Sequence, residues 1–530
     1  MSDMGAIGEA DVILGGVAIE SNRQDGDGVR HKGRGWTRLL LFLSAVIYLA
    51  GFVHLRADFP NRSPWMDWSK MANEGWYASA AIHYFVLGRW YLPDSFNPAV
   101  AMPVWPAMLG LWFSVMGMSM IAARTLTMVL YGLSLMLLYR VVWRAKPGRL
   151  AAVVVLLTVV DPLCYAFYRL AILEPVTVFW LMLSLWLAGE TKRGSWLKQV
   201  LLGVVICLLV LTKPGGVVLV PAVLYLMLAR WRWNSFHDDR VRRLWVHGLV
   251  AVAVVVGTAA ALWEGYQRLL VRPRYVADYA LTMSLHAQRA HLTMVLGLAW
   301  TMLLDGMWIG AVLFPLAAVV LLLAVVWLRE LWRVPLFGAA LIAIVGQMAY
   351  VGYYGDVEPR YYLVMAMPMM IVVGLGVAAM VDRRRAARRD KRLRWGLVLL
   401  GGAVVAAVVT MAVRTVGYVL HPDYSYWEAA QGIAAIIDAD GGAKPMLLSN
   451  SGNDITLWTS LRTVNESYTV HGLDALLERY RPGWYAAWPG YEDPAIEQVG
   501  KRYRMDAVAR YRVFDDPARQ TLVLYKLTPR

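Results

Sequence analysis

From Thr37 to about Gly417 the chain alternates between apolar stretches and short polar segments. Many of the stretches approach the roughly 20 apolar residues that cross a hydrocarbon core. The pattern predicts spans at 37–55, 119–141, 149–167, 174–189, 197–212, 215–230, 244–264, 306–328, 335–353, 361–381 and 395–417. Residues 56–118 interrupt it, mixing Trp, Pro and charge with one apolar piece at 103–117 that holds Pro103 and Pro106. Pieces so short are more often interfacial or re-entrant than spanning. We read 56–118 as one external loop carrying amphipathic helices. After residue 420 the pattern changes again: helix-like Trp427–Ile437 and Leu473–Tyr480 sit among strand-like Pro445–Leu448, Trp484–Trp488, Arg504–Phe514 and Thr521–Leu527. Residues 421–530 therefore read as a small α/β domain.

Composition and charge agree with a polytopic helical membrane protein of about eleven transmembrane helices. The 530 residues are 59% hydrophobic, and the mean hydropathy is +0.48. The net charge of +15 calls for no nucleic acid, because basic residues cluster between spans as the positive-inside rule expects. Arg23, Arg30, Lys32, Arg34 and Arg38 put the N-terminus in the cytoplasm. With 103–117 outside the count, every later basic loop, including Arg383-Arg384-Arg385, falls on the same cytoplasmic side. Counting it as a span would invert the basic loops from 140 to 394. The expected arrangement has residues 1–36 as a disordered cytoplasmic segment without a signal peptide, 37–420 in the membrane, and 421–530 outside. Cys164 and Cys207 both lie in apolar runs and read as small hydrophobes, and the histidines have no zinc spacing.

This topology collects polar groups near the outer surface. They are the loop motif Asn73-Glu74-Gly75-Trp76-Tyr77 with Asp58 and Asp67 upstream, Glu174 before Pro175, Lys213 in Leu211-Thr212-Lys213-Pro214-Gly215, and Glu358-Pro359-Arg360-Tyr361. Carboxylates can act as a base or hold a metal. Lys and Arg can hold a phosphate, Arg bidentately. The set suits transfer from an anionic lipid-linked donor to a hydroxyl or amine. Each residue also has a plainer reading. Glu74 could be solvated in a wet loop, and Glu174-Pro175 could open a helix. Lys213 could snorkel to the interface, Glu358 and Arg360 could pair with each other, and Arg124 could be structural at the end of a span.

In order along the chain, these motifs resemble the GT-C superfamily of polyprenyl-phosphate-sugar-dependent glycosyltransferases. The nearest groups are those of family 39, the protein O-mannosyltransferases and the lipid A aminoarabinose transferase. The resemblance covers most of 37–380. Asn73-Glu74-Gly75-Trp76-Tyr77-Ala78 matches the family's Asp-Glu-x-x-Tyr-Ala, and Asn97-Pro98 through Pro103-Val104-Trp105-Pro106 its Pro-rich stretch. Ala122-Ala123-Arg124 matches the start of its second span. Arg169-Leu170 through Leu173-Glu174-Pro175 matches its second acidic motif. Lys213 and Arg360 lie in the counterparts of its Leu-Thr-Lys-Gly-Pro turn and its late Arg-Tyr motif.

What the resemblance implies is an inverting sugar transfer from a polyprenyl phosphate to a protein or glycolipid acceptor. The expected place is the outer face of the plasma (inner) membrane. Glu74, Glu174 and Asp67 would supply base or metal-ligand chemistry. Lys213, Arg360 and Arg124 would hold the phosphate, with Asn73, Tyr77, Glu358 and Tyr361 lining the substrate. A divalent ion is compatible with the residues and not demanded by them. One departure stands out: the family's usual base is an Asp, and here the position is Asn73, whose amide cannot take that role. Glu74 is the expected replacement, with Asp67 or Asp58 as substitutes. The rival readings are a polyprenyl-lipid binder or flippase, an ion-coupled transporter, and a degenerate GT-C member.

Overall fold

The computed structural model describes residues 35–58, 68–190, 195–233, 241–285, 313–354, 358–386, 391–441, 446–467, 471–514 and 520–530, with isolated positions 293, 296 and 469. Helix α1 (Gly35–Ala50) precedes the first loop, which holds α2 (Asn73–Leu87) and α3 (Val104–Met116). Gly88 ends α2 with φ 68°, a left-handed turn that glycine adopts without a Cβ clash. The 13 residues of α3 reach about 20 Å, short of a bilayer core of roughly 30 Å. It packs on α2 and α4 (Met120–Ala145). Ser119 caps α4 by accepting from the Ala122 N–H at 3.1 Å.

Where the third span is expected there are two helices: α5 (Leu150–Val160) and α6 (Pro162–Tyr168) meet at 68°. The break is written locally, since the Asp161 side chain accepts from Cys164 N at 3.0 Å and Pro162 takes the first position of α6. Then come α7 (Leu173–Glu190), α8 (Trp196–Thr212), α9 (Val220–Trp233), α10 (Val241–Gly265), α11 (Pro273–Leu285), α12 (Leu313–Val326), α13 (Pro335–Tyr354), α14 (Leu363–Ala386) and α15 (Lys391–Leu420). Among the described residues, six helices are long and apolar enough to cross a membrane, seven with the α5–α6 pair counted once. Helix α14 is the centre of the bundle, packed on α5, α7, α12, α13 and α15. Helix α15 presents Val398, Leu399, Val405, Val409 and Val413 outward, as a lipid-facing helix does.

Beyond α15 the elements are α16 (Ser425–Ala439), β1 (Leu447–Leu448), α17 (Gly452–Thr459), β2 (Thr463–Val464), α18 (Leu473–Tyr480), β3 (Trp484–Ala487), α19 (Asp493–Arg502), β4 (Tyr503–Arg512) and β5 (Thr521–Pro529). They build one sheet in the order β2-β1-β3-β5-β4. The β2, β1 and β3 strands run parallel, while β5 is antiparallel to both β3 and β4. The sequence pattern located α16, α18 and four strands. It missed α17, β2 and α19, which are short and become regular only by packing on the sheet. One face of the sheet buries Tyr426, Ile433, Trp484, Trp488 and Phe514, and the same cluster takes in Met71 and Ala72 from the first loop. The chain just before Asn73 is thus embedded in the core of the C-terminal domain.

Candidate active site

Helix α2 begins at Asn73, directly after that anchored segment. Glu74 points into the bundle and is 2% exposed. It does not stand free as a base. Its Oε1 accepts from Arg124 Nε at 2.8 Å and from the Ala171 N–H at 2.6 Å, and its Oε2 accepts from Arg124 Nη2 at 2.5 Å. Arg124 Nη1 donates to the Leu55 and Ala57 carbonyls, each at 2.7 Å, and its guanidinium carbon lies 5.1 Å from the Trp458 ring centroid. All three guanidinium nitrogens are engaged inside the protein. Arg124, expected on the donor phosphate, ties α4 to the first loop and to α2.

Glu174, in the first turn of α7, is fully buried. Its Oε1 accepts from Lys213 Nζ at 2.5 Å and lies 3.6 Å from Arg360 Nε. Its Oε2 has no hydrogen-bond partner among the described residues. Lys213 sits where α8 stops: its backbone is extended at φ −150° and Pro214 follows it into a 3-10 turn, Pro214–Leu219. A side chain at Gly215 would displace the Tyr350 ring, because a Cβ there would lie 2.6 Å from its Cζ. Lys213 Nζ stands 4.2 Å from the Tyr361 ring centroid and 5.9 Å from that of Tyr350.

Arg360 belongs to a second 3-10 turn, Pro359–Tyr362. It pairs with Glu358, and its guanidinium carbon lies 4.8 Å from the Tyr361 ring centroid. With the Asn73 amide oxygen turned toward it, that oxygen accepts from Arg360 Nη1 at 2.8 Å and Nη2 at 3.2 Å. Asn73, Glu174, Lys213, Glu358, Arg360 and Tyr361 therefore form one continuous buried cluster. It holds two acids and two bases, so it is balanced in formal charge. Glu74 and Arg124 form a second balanced pair, joined to the first through the helix turn that carries both Asn73 and Glu74.

The remaining expected residues divide. Tyr77 is buried one turn along α2, edge-on to Trp76 with ring centroids 4.9 Å apart. Asp67 lies outside the described residues. Asp58 is buried beside the domain junction, where its Oδ2 accepts from the Tyr426 N–H at 2.9 Å and its Oδ1 has no partner among the described residues. Burial, set only partly against the Tyr426 N–H, raises its carboxyl to about 8. Among the described residues no three His, Cys, Asp or Glu side chains gather as metal ligands do. Glu174 and Glu358 each face a cation instead, Lys213 and Arg360 respectively.

Two contributors were not singled out from the sequence. Arg169 was legible only as the flank of a motif. It donates to the carbonyls of His54 at 3.2 Å and Ala57 at 3.0 Å and to that of Asp58, bracing the same loop strand that receives Arg124. Asp454, in α17 of the C-terminal domain, accepts a hydrogen bond from the Gly75 N–H. Nothing in the local sequence around it suggests that role.

Residues 98–263 match the family model of dolichyl-phosphate-mannose-protein mannosyltransferases. No curated protein matches the chain. Among solved structures, ArnT from Cupriavidus metallidurans bound to undecaprenyl phosphate is similar at TM-score 0.56 and 15% identity, over 93% of this chain and 98% of that one. The Archaeoglobus fulgidus oligosaccharyltransferase, tethered to an acceptor peptide containing the NVT sequon, is similar at TM-score 0.52 and 13% identity, over 93% and 74%. The same enzyme in complex with Zn and sulfate gives 0.54 and 12%, over 92% and 75%. Both similarities lie at the level of fold. The chain resembles the GT-C glycosyltransferases in its family-model match and in its architecture.

Proposed function

We propose that this GT-C-like membrane protein transfers a sugar, with inversion, from a polyprenyl-phosphate donor to a protein or glycolipid acceptor. The observation that carries the reading is the Glu174–Lys213–Arg360 cluster. Two buried cations are held beside a carboxylate whose second oxygen has no partner among the described residues. Lys213 and Arg360 take the donor phosphate. The acceptor hydroxyl oxygen, or an amine nitrogen, bonds to the anomeric carbon from the face opposite the phosphate. The bond from that carbon to the phosphate oxygen breaks, its electron pair stays on the phosphate, and the acceptor proton passes to Oε2 of Glu174. Only a group that gains in the transition state accelerates the step, and a carboxylate that receives the proton as the bond forms is such a group. Glu74 and Arg124, whose polar atoms are already engaged, hold the site in shape. Eleven crossings, the inner membrane, a cytoplasmic N-terminus and an external site complete the reading, supported by the basic segments between spans.

The test is to incubate purified protein in lipid nanodiscs with labelled polyprenyl-phosphate sugars and to follow the headgroup. The reading expects consumption of one sugar class and release of polyprenyl phosphate, both abolished in Lys213→Met. Saturable donor binding with no turnover across the whole panel would instead make the protein a lipid binder or flippase.

A further inference from the structure

Helix α2 starts without a cap of its own. Its N-cap residue is Ala72, which has no side-chain hydrogen bond to offer. The first N–H groups of a helix have no intrahelical acceptor and need one from elsewhere, most so when buried. For the Gly75 N–H that acceptor is Oδ1 of Asp454, a residue 379 positions away in another domain. The approach is so close that any side chain at 75 would collide with backbone: a Cβ there would lie 2.3 Å from both the Asn453 carbonyl carbon and the Asp454 nitrogen. Asp454 is itself 1% exposed. Around it the C-terminal domain takes further hold of the same turn. Met71 and Ala72 lie in its core, Tyr426 donates its hydroxyl to the Met71 carbonyl at 3.1 Å, and Trp458 covers Arg124.

We infer that Asp454 is a positioning residue of the active site, a cap supplied from the C-terminal domain that fixes the first turn of α2. By fixing that turn it aims the Asn73 amide at Arg360 and the Glu74 carboxylate at Arg124. The inference rests on the transferase reading for its catalytic consequence and not for its structural one. Burial, aided by the nearby Glu74 carboxylate, holds the Asp454 carboxyl well above the usual carboxylate range. The C-terminal domain is on this view a component of the catalytic centre, and α2 reaches its working geometry only when that domain has docked.

The experiment compares full-length wild type, Asp454→Ala and Asp454→Asn in nanodiscs by amide hydrogen exchange and by transfer kinetics. Losing one cap is expected to raise exchange over residues 73–77 by about tenfold in Asp454→Ala. Because misplacement of reacting groups acts on the chemical step, kcat falls by about tenfold or more while the donor KM stays within about threefold. The amide of Asp454→Asn still accepts from Gly75, so both readouts return toward wild type. Unchanged exchange over 73–77 in folded Asp454→Ala, or no rescue by Asp454→Asn, overturns the inference. If Asp454→Ala does not fold, Asp454→Ser, too short to reach Gly75 N–H, takes its place with the same expectations. A wild type inactive on every donor defeats the transferase reading alone, and the exchange comparison still decides the cap.

Discussion

Lys213 Nζ lies 2.5 Å from Oε1 of Glu174, and Arg360 Nε lies 3.6 Å from the same oxygen. Two cations thus share one oxygen of a buried carboxylate, and the other has no hydrogen-bond partner among the described residues. Glu174→Gln keeps an acceptor for Lys213 while removing the proposed base, so the variant should fold and lose kcat by about 10²- to 10⁴-fold. Initial-rate kinetics together with thermal unfolding check this. A folded Glu174→Gln that turns over close to the wild-type rate would mean the proton goes elsewhere.

Asn73 is where the resembled family carries an acid, and here its amide faces Arg360. Asn73→Asp would add a third carboxylate to a cluster that has two, Glu174 and Glu358, against Lys213 and Arg360. The extra charge should pair with Arg360 and compete with the donor phosphate, raising the donor KM by about tenfold, a penalty of the size charge-assisted pairs carry. Steady-state kinetics on the wild type's donor measure it. An increase in kcat instead would place the base at position 73.

Much of this centre was legible beforehand, and the reason is local. Glu174-Pro175, Lys213-Pro214-Gly215 and Glu358-Pro359-Arg360 each mark a helix boundary in their own sequence, and the pattern of basic segments is what led to the expectation that these boundaries share a side. The pairings were not legible. Glu74 and Arg124 looked like two independent functional groups because nothing in the chain reveals that their side chains meet across 50 residues. Asp454 was missed for the same cause: α17 is eight residues long, and its role appears only when it meets Gly75. The bend between α5 and α6 had a visible signal in Asp161-Pro162, a side-chain cap followed by a proline at the first helical position, set inside an apolar run that reads as one span.

Arg124→Lys separates positioning from phosphate binding. Lysine cannot reproduce the two-pronged contact with Glu74 while also reaching the carbonyls of Leu55 and Ala57. Lysine keeps the charge but not the donors, and each buried acceptor left without one costs about 1–3 kcal/mol, so the variant should lose stability outright. Glu74→Gln should lose at least as much, since both Glu74 oxygens accept, an amide NH2 cannot take the place of one of them, and the buried Arg124 charge loses its partner. Unfolding midpoints of the two variants provide the measurement. A variant of unchanged stability with a raised donor KM would return Arg124 to the phosphate.

Asp58 gives the stability of the domain junction a pH dependence. Burial raises its carboxyl from 3.8 to about 8 in the folded protein, so at neutral pH the folded state holds a proton there that the unfolded chain has released. Stability rises with pH only where the unfolded state binds more protons, and here it binds fewer. The contribution of Asp58 is therefore fully present below about pH 4, falls as pH rises toward 8, and is lost above that. Asp58→Asn, which cannot ionise, should flatten this part of the curve. Its unfolding midpoint should gain on wild type progressively between pH 5 and 8, with the gain levelling off above that window. Because Asp58 joins the first loop to Tyr426, the protection factor of the Tyr426 amide, with the intrinsic rise of exchange with pH divided out, should fall over the same pH window in wild type and stay level in the variant. A midpoint difference that is constant across pH 4–9 would show that Asp58 is ionised in the fold and held by Arg124 and Arg169 instead.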